Sequence, residues 1–131
     1  MCIRDSKGDQ LQFAQVVGAQ EQAHLAYLRT QVGASEVKHR TFDFGASSAT
    51  PSGFLSAAVG IEELGLGAYN GQAPNLTSAA LRRAGRITPV EARHVAWARS
   101  LQGELPAPTP SDTPLSQEQV LSHVKQEGYV A

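Results

Sequence analysis

The stretch VEARHVAWAR, residues 90–99, has the apolar spacing of an amphipathic helix but carries Glu91 and His94 on its apolar side. Residues three positions apart project from nearly the same side of a helix, so the carboxylate and the imidazole can reach one point. Burying an ion in a protein core costs several kcal/mol unless the ion is paired or bound to a cation. The stretch therefore predicts a core-facing helix whose Glu-x-x-His pair meets further groups inside the fold.

Two other segments carry an acid at the middle of their apolar stripe. In QEQAHLAYLR, residues 20–29, Glu21 and His24 repeat the Glu-x-x-His pair. The segment after Pro51 has Glu62 at the centre of a stripe with helical spacing, formed by Leu55, Ala58, Glu62, Gly65 and Tyr69. Divalent cations would neutralise the three acids together, and carboxylate oxygen with imidazole nitrogen suits iron, manganese or zinc. The pattern predicts a metal site formed by Glu21, His24, Glu62, Glu91 and His94.

Simpler interpretations of such pairs stay open. Thr88, Pro89 and Glu91 fit a capping box, in which a separate helix begins at Pro89 and Glu91 only caps it. A continuous, kinked helix accounts better for the apolar stripe on both sides of Pro89. The third Glu-x-x-His pair, Glu36 and His39, lies in a polar loop without an apolar stripe, and we interpret it as surface charge.

Helix signals recur along the chain, and strand signals are nearly absent. Glycines end the long segments of apolar periodicity, and Ser or Thr residues stand where N-caps are expected. The mixture of Gly, Ser, Thr and Pro at residues 34–53 predicts a long surface connection. The sequence therefore predicts an all-α fold, with helices over residues 9–32, 51–70 and 77–101 and a short last helix that has Ser116 as its N-cap.

The 131 residues are the length of one domain, and their charge is balanced. Eleven Lys and Arg oppose twelve Asp and Glu, which gives a net charge of −1 without a basic run. This balance disfavours nucleic acid and anionic membranes as partners. No apolar stretch reaches the roughly 18 residues that a membrane helix needs. We therefore expect metal ions as partners, no nucleic acid and no membrane insertion, and a homo-oligomer stays open.

The first residues, MCIRDS, resemble the translated end of a transposon adapter used in sequencing libraries. We therefore interpret residues 1–8 as a non-native or disordered start, and residues 9–131 as a truncated helical bundle domain with an extended C-terminal tail. On this interpretation Cys2, the single cysteine, carries no chemistry. We also expect the bundle to lack most or all of its first helix and to expose a long apolar stripe as a result.

Five segments occur in the order that is found in the ferritin-like domain family, which includes plant desiccation-related proteins and many bacterial members. These segments are EQAHLAYLRTQVG, FDFG, FLSAAVGIEELGLGAYNGQAP, VEARHVAWARSLQG and DTPLSQEQVL. The chain resembles this family over residues 11–130. The resemblance implies a ferritin-like four-helix bundle with a dinuclear iron or manganese site, whose ligands fall on Glu21, His24, Glu62, Glu91 and His94. It also implies a further Glu on an absent first helix, and export is common among the bacterial members.

Two functions are open from the sequence. The first is a dimetal carboxylate protein of iron or manganese that acts on dioxygen or peroxide, or holds metal, in a context of stress or desiccation. The second is a non-catalytic structural or protective helical bundle without a redox metal. Ferritin-like bundles include both kinds, so the fold does not decide whether the protein is an enzyme.

Overall fold

The structure is a computed structural model, and it describes residues 8–33 and 41–129. Four α-helices account for most of these residues. They are α1 (Asp9–Val32), α2 (Pro51–Gln72), α3 (Ser78–Leu101) and α4 (Gln117–Gln126). No β-strand occurs within these two ranges, so the predicted all-α class is confirmed. The predictions for MCIRDS, including Cys2, and for Glu36 and His39 fall outside the described residues. None of the described helices is both long and apolar enough to cross a membrane.

Side-chain caps fix where three of the helices begin. Thr50 accepts a hydrogen bond at 3.1 Å from the backbone N–H three residues later, and Pro51 takes the first position of α2. Thr77 caps α3 in the same way, at 3.2 Å. At α4 the hydroxyl of Ser116 and the side chain of Gln119 form a reciprocal capping box. The predicted N-cap at Ser116 is therefore confirmed.

Helix α3 passes through Pro89 without a break. The hydroxyl of Thr88 donates to the backbone carbonyl of Ala84, one turn earlier in the helix, at 3.0 Å. Thr88 therefore does not act as the N-cap of a new helix. Buried residues of one stripe lie both before and after the proline. The capping-box interpretation of Glu91 is therefore wrong, and the continuous helix is confirmed.

The aromatic contacts of Phe13 define the directions of the three long helices. Phe13 lies near the start of α1, and its ring centroid is 6.3 Å from that of Phe54 near the start of α2. It is 5.4 Å from the ring centroid of Trp97 near the end of α3. The middle turns of the same helices also meet, since Nδ1 of His94 on α3 lies 3.3 Å from Glu21 on α1 and from Glu62 on α2. Helices α1 and α2 are therefore parallel, and α3 is antiparallel to both. Two parallel helices need a connection that returns along the bundle, as the long crossover of ferritin-like folds does.

The hydrophobic core lies at the end of the bundle where α1 and α2 begin. Phe13 and Ala98 are 1% and 0% exposed, and Val17 and Leu55 complete this buried cluster. Each large side chain in such a cluster contributes roughly 2 kcal/mol of hydrophobic stabilisation. The packing brings three helices together at this end and thereby places their middle turns side by side.

One side of α1 is apolar and exposed. Leu25, Leu28 and Val32 are 47%, 36% and 47% exposed. Among the described residues α1 packs mainly on α3, which leaves this side of α1 uncovered. Leu28 follows His24 at helical spacing on the same face of α1, yet it is exposed in the structure.

Two glycines anchor the segment that follows α3 on the outer face of α2. The N–H of Leu115 donates to the carbonyl oxygen of Gly67 at 2.9 Å. A Cβ added at Gly67 would lie 2.7 Å from the Leu115 side chain, and one at Gly71 would overlap the Leu115 carbonyl oxygen. Only glycine lets two backbones approach this closely. The two glycines therefore set the position of α4, which packs on α2.

Replacing Gly71 by alanine is expected to detach this segment from α2, because the backbone of Leu115 must move to admit the methyl group. Amide hydrogen exchange of Leu115 and α4 should quicken by about tenfold or more, while α1, α2 and α3 keep their protection. Gly60→Ala is the matched control on α2, since a Cβ at Gly60 meets nothing within 4 Å. That variant should gain about 0.5–1 kcal/mol of stability. Unchanged exchange of the Leu115 amide in the Gly71 variant would contradict the anchoring role.

Candidate metal centre

All five ligands that the sequence predicts come together at the middle of the three long helices. Helix α1 contributes Glu21 and His24, α2 contributes Glu62, and α3 contributes Glu91 and His94. Four of these residues each place one ligand atom within 4.8 Å of the other three, namely Glu21, Glu62, Glu91 and His94. His24 borders them, with its Nδ1 2.8 Å from Oε1 of Glu91. We call these five residues the acid–histidine cluster.

Both histidines connect different helices within the cluster. The Nδ1 atom of His24 lies 3.1 Å from Glu21 on its own helix and 2.8 Å from Glu91 on α3. The Nδ1 atom of His94 lies 3.3 Å from Glu21 on α1 and also 3.3 Å from Glu62 on α2. The two rings stack with their centroids 6.1 Å apart. Each Nδ1 atom therefore faces the space between the carboxylates.

Gln20, a residue outside the predicted ligand set, holds the ring of His94 from its other side. Oε1 of Gln20 lies 2.6 Å from Nε2 of His94. With the proton on Nε2, His94 donates to this amide oxygen, and the lone pair of Nδ1 faces the carboxylates. Metal-binding histidines usually have such a hydrogen-bond partner on the second ring nitrogen. No sequence signal identifies Gln20, because the contact joins residues 74 positions apart.

Burial and mutual repulsion shift the pKa values of the acids. Burial, followed by the negative charges of Glu21 and Glu91, raises the pKa of Glu62 to about 9. Burial also raises the pKa of Glu91. At neutral pH the metal-free cluster therefore keeps a proton on Glu62, which donates a hydrogen bond to Glu91. A divalent cation would replace this proton, because metal ligands bind in their deprotonated form.

Tyr69 lies on the same stripe of α2 as Glu62. Burial and the negative charges of Glu91 and Glu21 raise the pKa of its hydroxyl to about 12. The hydroxyl therefore stays protonated at physiological pH beside the cluster. It can donate a hydrogen bond, but the charge of the cluster opposes its ionisation.

The cluster is open to solvent on the side of α1. The side chain of Glu21 is 44% exposed, whereas those of Glu91 and His94 are 5% and 3% exposed. The side chain of Glu62 is also nearly buried, between α2 and α3. An ion can therefore enter beside Glu21, while α2 and α3 exclude water from the opposite side.

The chemistry of the donor set fits iron, manganese or zinc. The cluster offers three carboxylates and two imidazoles, and this mixture of oxygen and nitrogen ligands suits those metals. Two divalent ions would bring a charge of +4 against −3 from the acids, so the site would be nearly neutral. The cluster is thus compatible with a metal site that relieves the repulsion among its own acids.

A family model described as a ferritin-like domain matches residues 4–104 of the chain. The chain belongs to the ferritin-like domain family. The match includes α1, α2 and α3 with the whole acid–histidine cluster, and it confirms the resemblance and the fold that the sequence predicts. No curated protein and no solved structure matches the chain. The match begins inside residues 1–8, whose non-native origin stays a prediction.

Ferritin-like dimetal bundles take a Glu from each of two helices and a Glu-x-x-His pair from each of the other two. In this ferritin-like chain α1 and α3 supply the two pairs, and α2 supplies a single Glu. Among residues 8–33 and 41–129, no further acid or histidine belongs to the group of convergent ligand atoms. The ligand role of these five residues stays a prediction, which the geometry supports.

Proposed function

We propose that the protein binds a dinuclear iron or manganese centre in the acid–histidine cluster and has a redox or metal-holding role. The convergence of three acids and two histidines from three helices is the observation that carries this proposal. Nearly complete burial of Glu91 and His94 makes the arrangement costly without a cation. A pair of divalent ions supplies the missing positive charge.

Each residue of the cluster has a defined part in this proposal. Glu62 and Glu91, which share a proton in the metal-free chain, would bind the ions from the buried side. Glu21 would bind from the exposed side and guide ions inward. His24 and His94 would each bind through Nδ1, and Gln20 would hold the His94 ring by accepting a hydrogen bond from Nε2.

The bound metal would supply redox capacity towards dioxygen or peroxide and Lewis acidity. The side chains of α2 and α3 would keep bulk water away from the buried half of the site. The raised pKa of Tyr69 would keep its hydroxyl as a hydrogen-bond donor next to the acids. We also propose a role in stress or desiccation, which the resemblance to desiccation-related proteins supports.

Loading with Fe(II) or Mn(II), followed by measurement of dioxygen and peroxide consumption, tests the redox form of this proposal. The loaded protein should consume one of these oxidants, and Glu62→Gln should abolish the consumption. Glu118→Gln is the control, because Glu118 lies on α4 outside the cluster. A tightly bound zinc ion with no consumption of either oxidant would instead support the structural or protective bundle.

A further inference from the structure

A cavity of about 1000 Å³ lies on the outer side of α2 and α3, and no residue of the acid–histidine cluster lines it. Its floor includes Gly53, Ala57 and Gly60 of α2, and these glycines and the alanine methyl group leave the space open. The proline-rich segment 106–110 and Leu115 form another wall. The volume is at the upper end of the range for small-molecule sites, roughly 300–1000 Å³. The cavity therefore has room for a sizeable organic molecule.

Three aromatic rings form one end of the cavity. The ring centroids of Phe42 and Phe44 are 6.3 Å apart, and those of Phe44 and Tyr129 are 5.2 Å apart. The backbone N–H of Asp43 donates to the carbonyl oxygen of Tyr129 at 3.1 Å and holds the two segments together. Phe42 and Phe44 are 58% and 41% exposed, so their faces are accessible to a ligand.

The charged groups of the cavity favour a positive ligand. Arg99 is the one lysine or arginine among the described residues that line it. Its guanidinium is already bound, since Nε donates to Glu63 at 2.8 Å and Nη1 donates to Glu104 at 3.1 Å. The lining carboxylates of Asp112 and Glu127 have no ion pair within residues 8–33 and 41–129. Among the described residues that line the cavity, Glu63, Asp112 and Glu127 therefore outnumber Arg99, and this part of the lining carries net negative charge.

We propose that this cavity binds an organic cation with an apolar body, such as a substituted ammonium compound. The cationic group would lie against Phe44 and Tyr129 and near the carboxylate of Glu127, two residues before Tyr129. Aromatic faces attract cations that have shed water, and the carboxylates of the cavity repel anions. The apolar body would extend over the small residues of α2. This site shares no residue with the acid–histidine cluster, so the proposal does not rest on the metal.

Titration of the full chain with benzyltrimethylammonium tests this proposal, because the charge of this compound does not depend on pH. Two-dimensional NMR should show shifts at Gly53, Gly60 and Phe44, and calorimetry should give saturable binding. Neopentylbenzene, which has the same shape without the charge, and phenylmethanesulfonate, an anion, are the comparison ligands. Both should bind at least about tenfold more weakly than the cation.

Two variants localise the binding. Phe44→Leu keeps an apolar side chain but removes the aromatic face, and Glu127→Gln removes the charge without changing the size. Each should weaken binding of benzyltrimethylammonium by about fivefold or more. Glu118→Gln, on α4 but outside the cavity, should leave binding unchanged. The proposal would be overturned if the neutral compound bound as tightly as the cation or the anion bound more tightly. It would also be overturned if the cation did not bind at millimolar concentration, or if neither Phe44→Leu nor Glu127→Gln changed its binding.

Discussion

Glu91→Gln is expected to weaken binding of iron or manganese by about 100-fold or more. Loss of a hydrogen-bond partner that only supports a metal ligand already lowers metal affinity by about 10- to 100-fold, and Glu91 is itself a proposed ligand. Glu91 is 4% exposed and faces both His24 and His94. Glutamine keeps the size of the side chain but cannot supply a negative charge. Competition with a chelator of known affinity would measure the change, and far-ultraviolet circular dichroism would show that the helices remain.

Two further variants make this result specific to the cluster. Glu118→Gln removes a carboxylate from α4, outside the cluster, and should leave the affinity unchanged. Gln20→Ala removes the hydrogen-bond partner of His94 Nε2 and should lower the metal affinity about tenfold. The effect is smaller because the ring loses its support but keeps Nδ1, its proposed ligand atom. Equal loss in all three variants, or no loss in Glu91→Gln, would show that Glu91 is not a ligand.

The second large effect is expected in the metal-free protein, whose stability should fall as the pH rises from about 4.5 towards 9. The pKa of Glu62 is raised from its ordinary value of 4.5 to about 9 in the folded chain, so the folded state holds a proton that the unfolded state loses. Stability is therefore greatest below the unfolded pKa and declines across this range. The contribution of Glu62 to this loss is about 3 kcal/mol at pH 7, from about 1.4 kcal/mol for each pH unit.

Glu62→Gln should remove most of this pH dependence, because the amide is neutral in both the folded and the unfolded state. At pH 7 the metal-free variant should be more stable than the parent by about 2–3 kcal/mol, although it lacks one of the proposed metal ligands. Urea unfolding at several pH values between 4.5 and 9 measures both quantities. A variant that is less stable than its parent at pH 7, or one with an unchanged pH dependence, would contradict this account of Glu62.

Helix positions and the predicted ligands followed from local patterns. The sequence predicts the first helix over residues 9–32, which is the extent of α1, and it predicts Ser116 as the N-cap of α4. Both features depend on signals within one or two turns, such as a glycine stop or a serine followed by glutamine. The Glu-x-x-His spacing is equally local, because it places two side chains on one face of one helix. Apolar periodicity around Glu62 then indicated which face of α2 meets these pairs.

Contacts between distant segments could not be predicted from such patterns. The partner of His94 Nε2, Gln20, depends on how α1 packs on α3. Leu115 meets Gly67 and Gly71 only after the chain has turned back along α2. The sequence around the two glycines therefore did not indicate which segment packs against them. Leu28 has the periodicity of a core residue, but among the described residues its side of α1 lacks a packing partner. Periodicity indicates which face is apolar and does not show what covers it.

Elemental analysis of the protein purified without added metal, and again after reconstitution with Fe(II) or Mn(II), tests the dinuclear centre most directly. We predict about two iron or manganese ions per chain, the number that ferritin-like bundles hold with two Glu-x-x-His pairs and two further Glu residues, of which this chain supplies Glu62. Glu91→Gln, measured in parallel, should retain less than half of that metal. Absence of bound metal in the parent protein, even after reconstitution, would contradict the account and would mean that the acid–histidine cluster is a buried polar network.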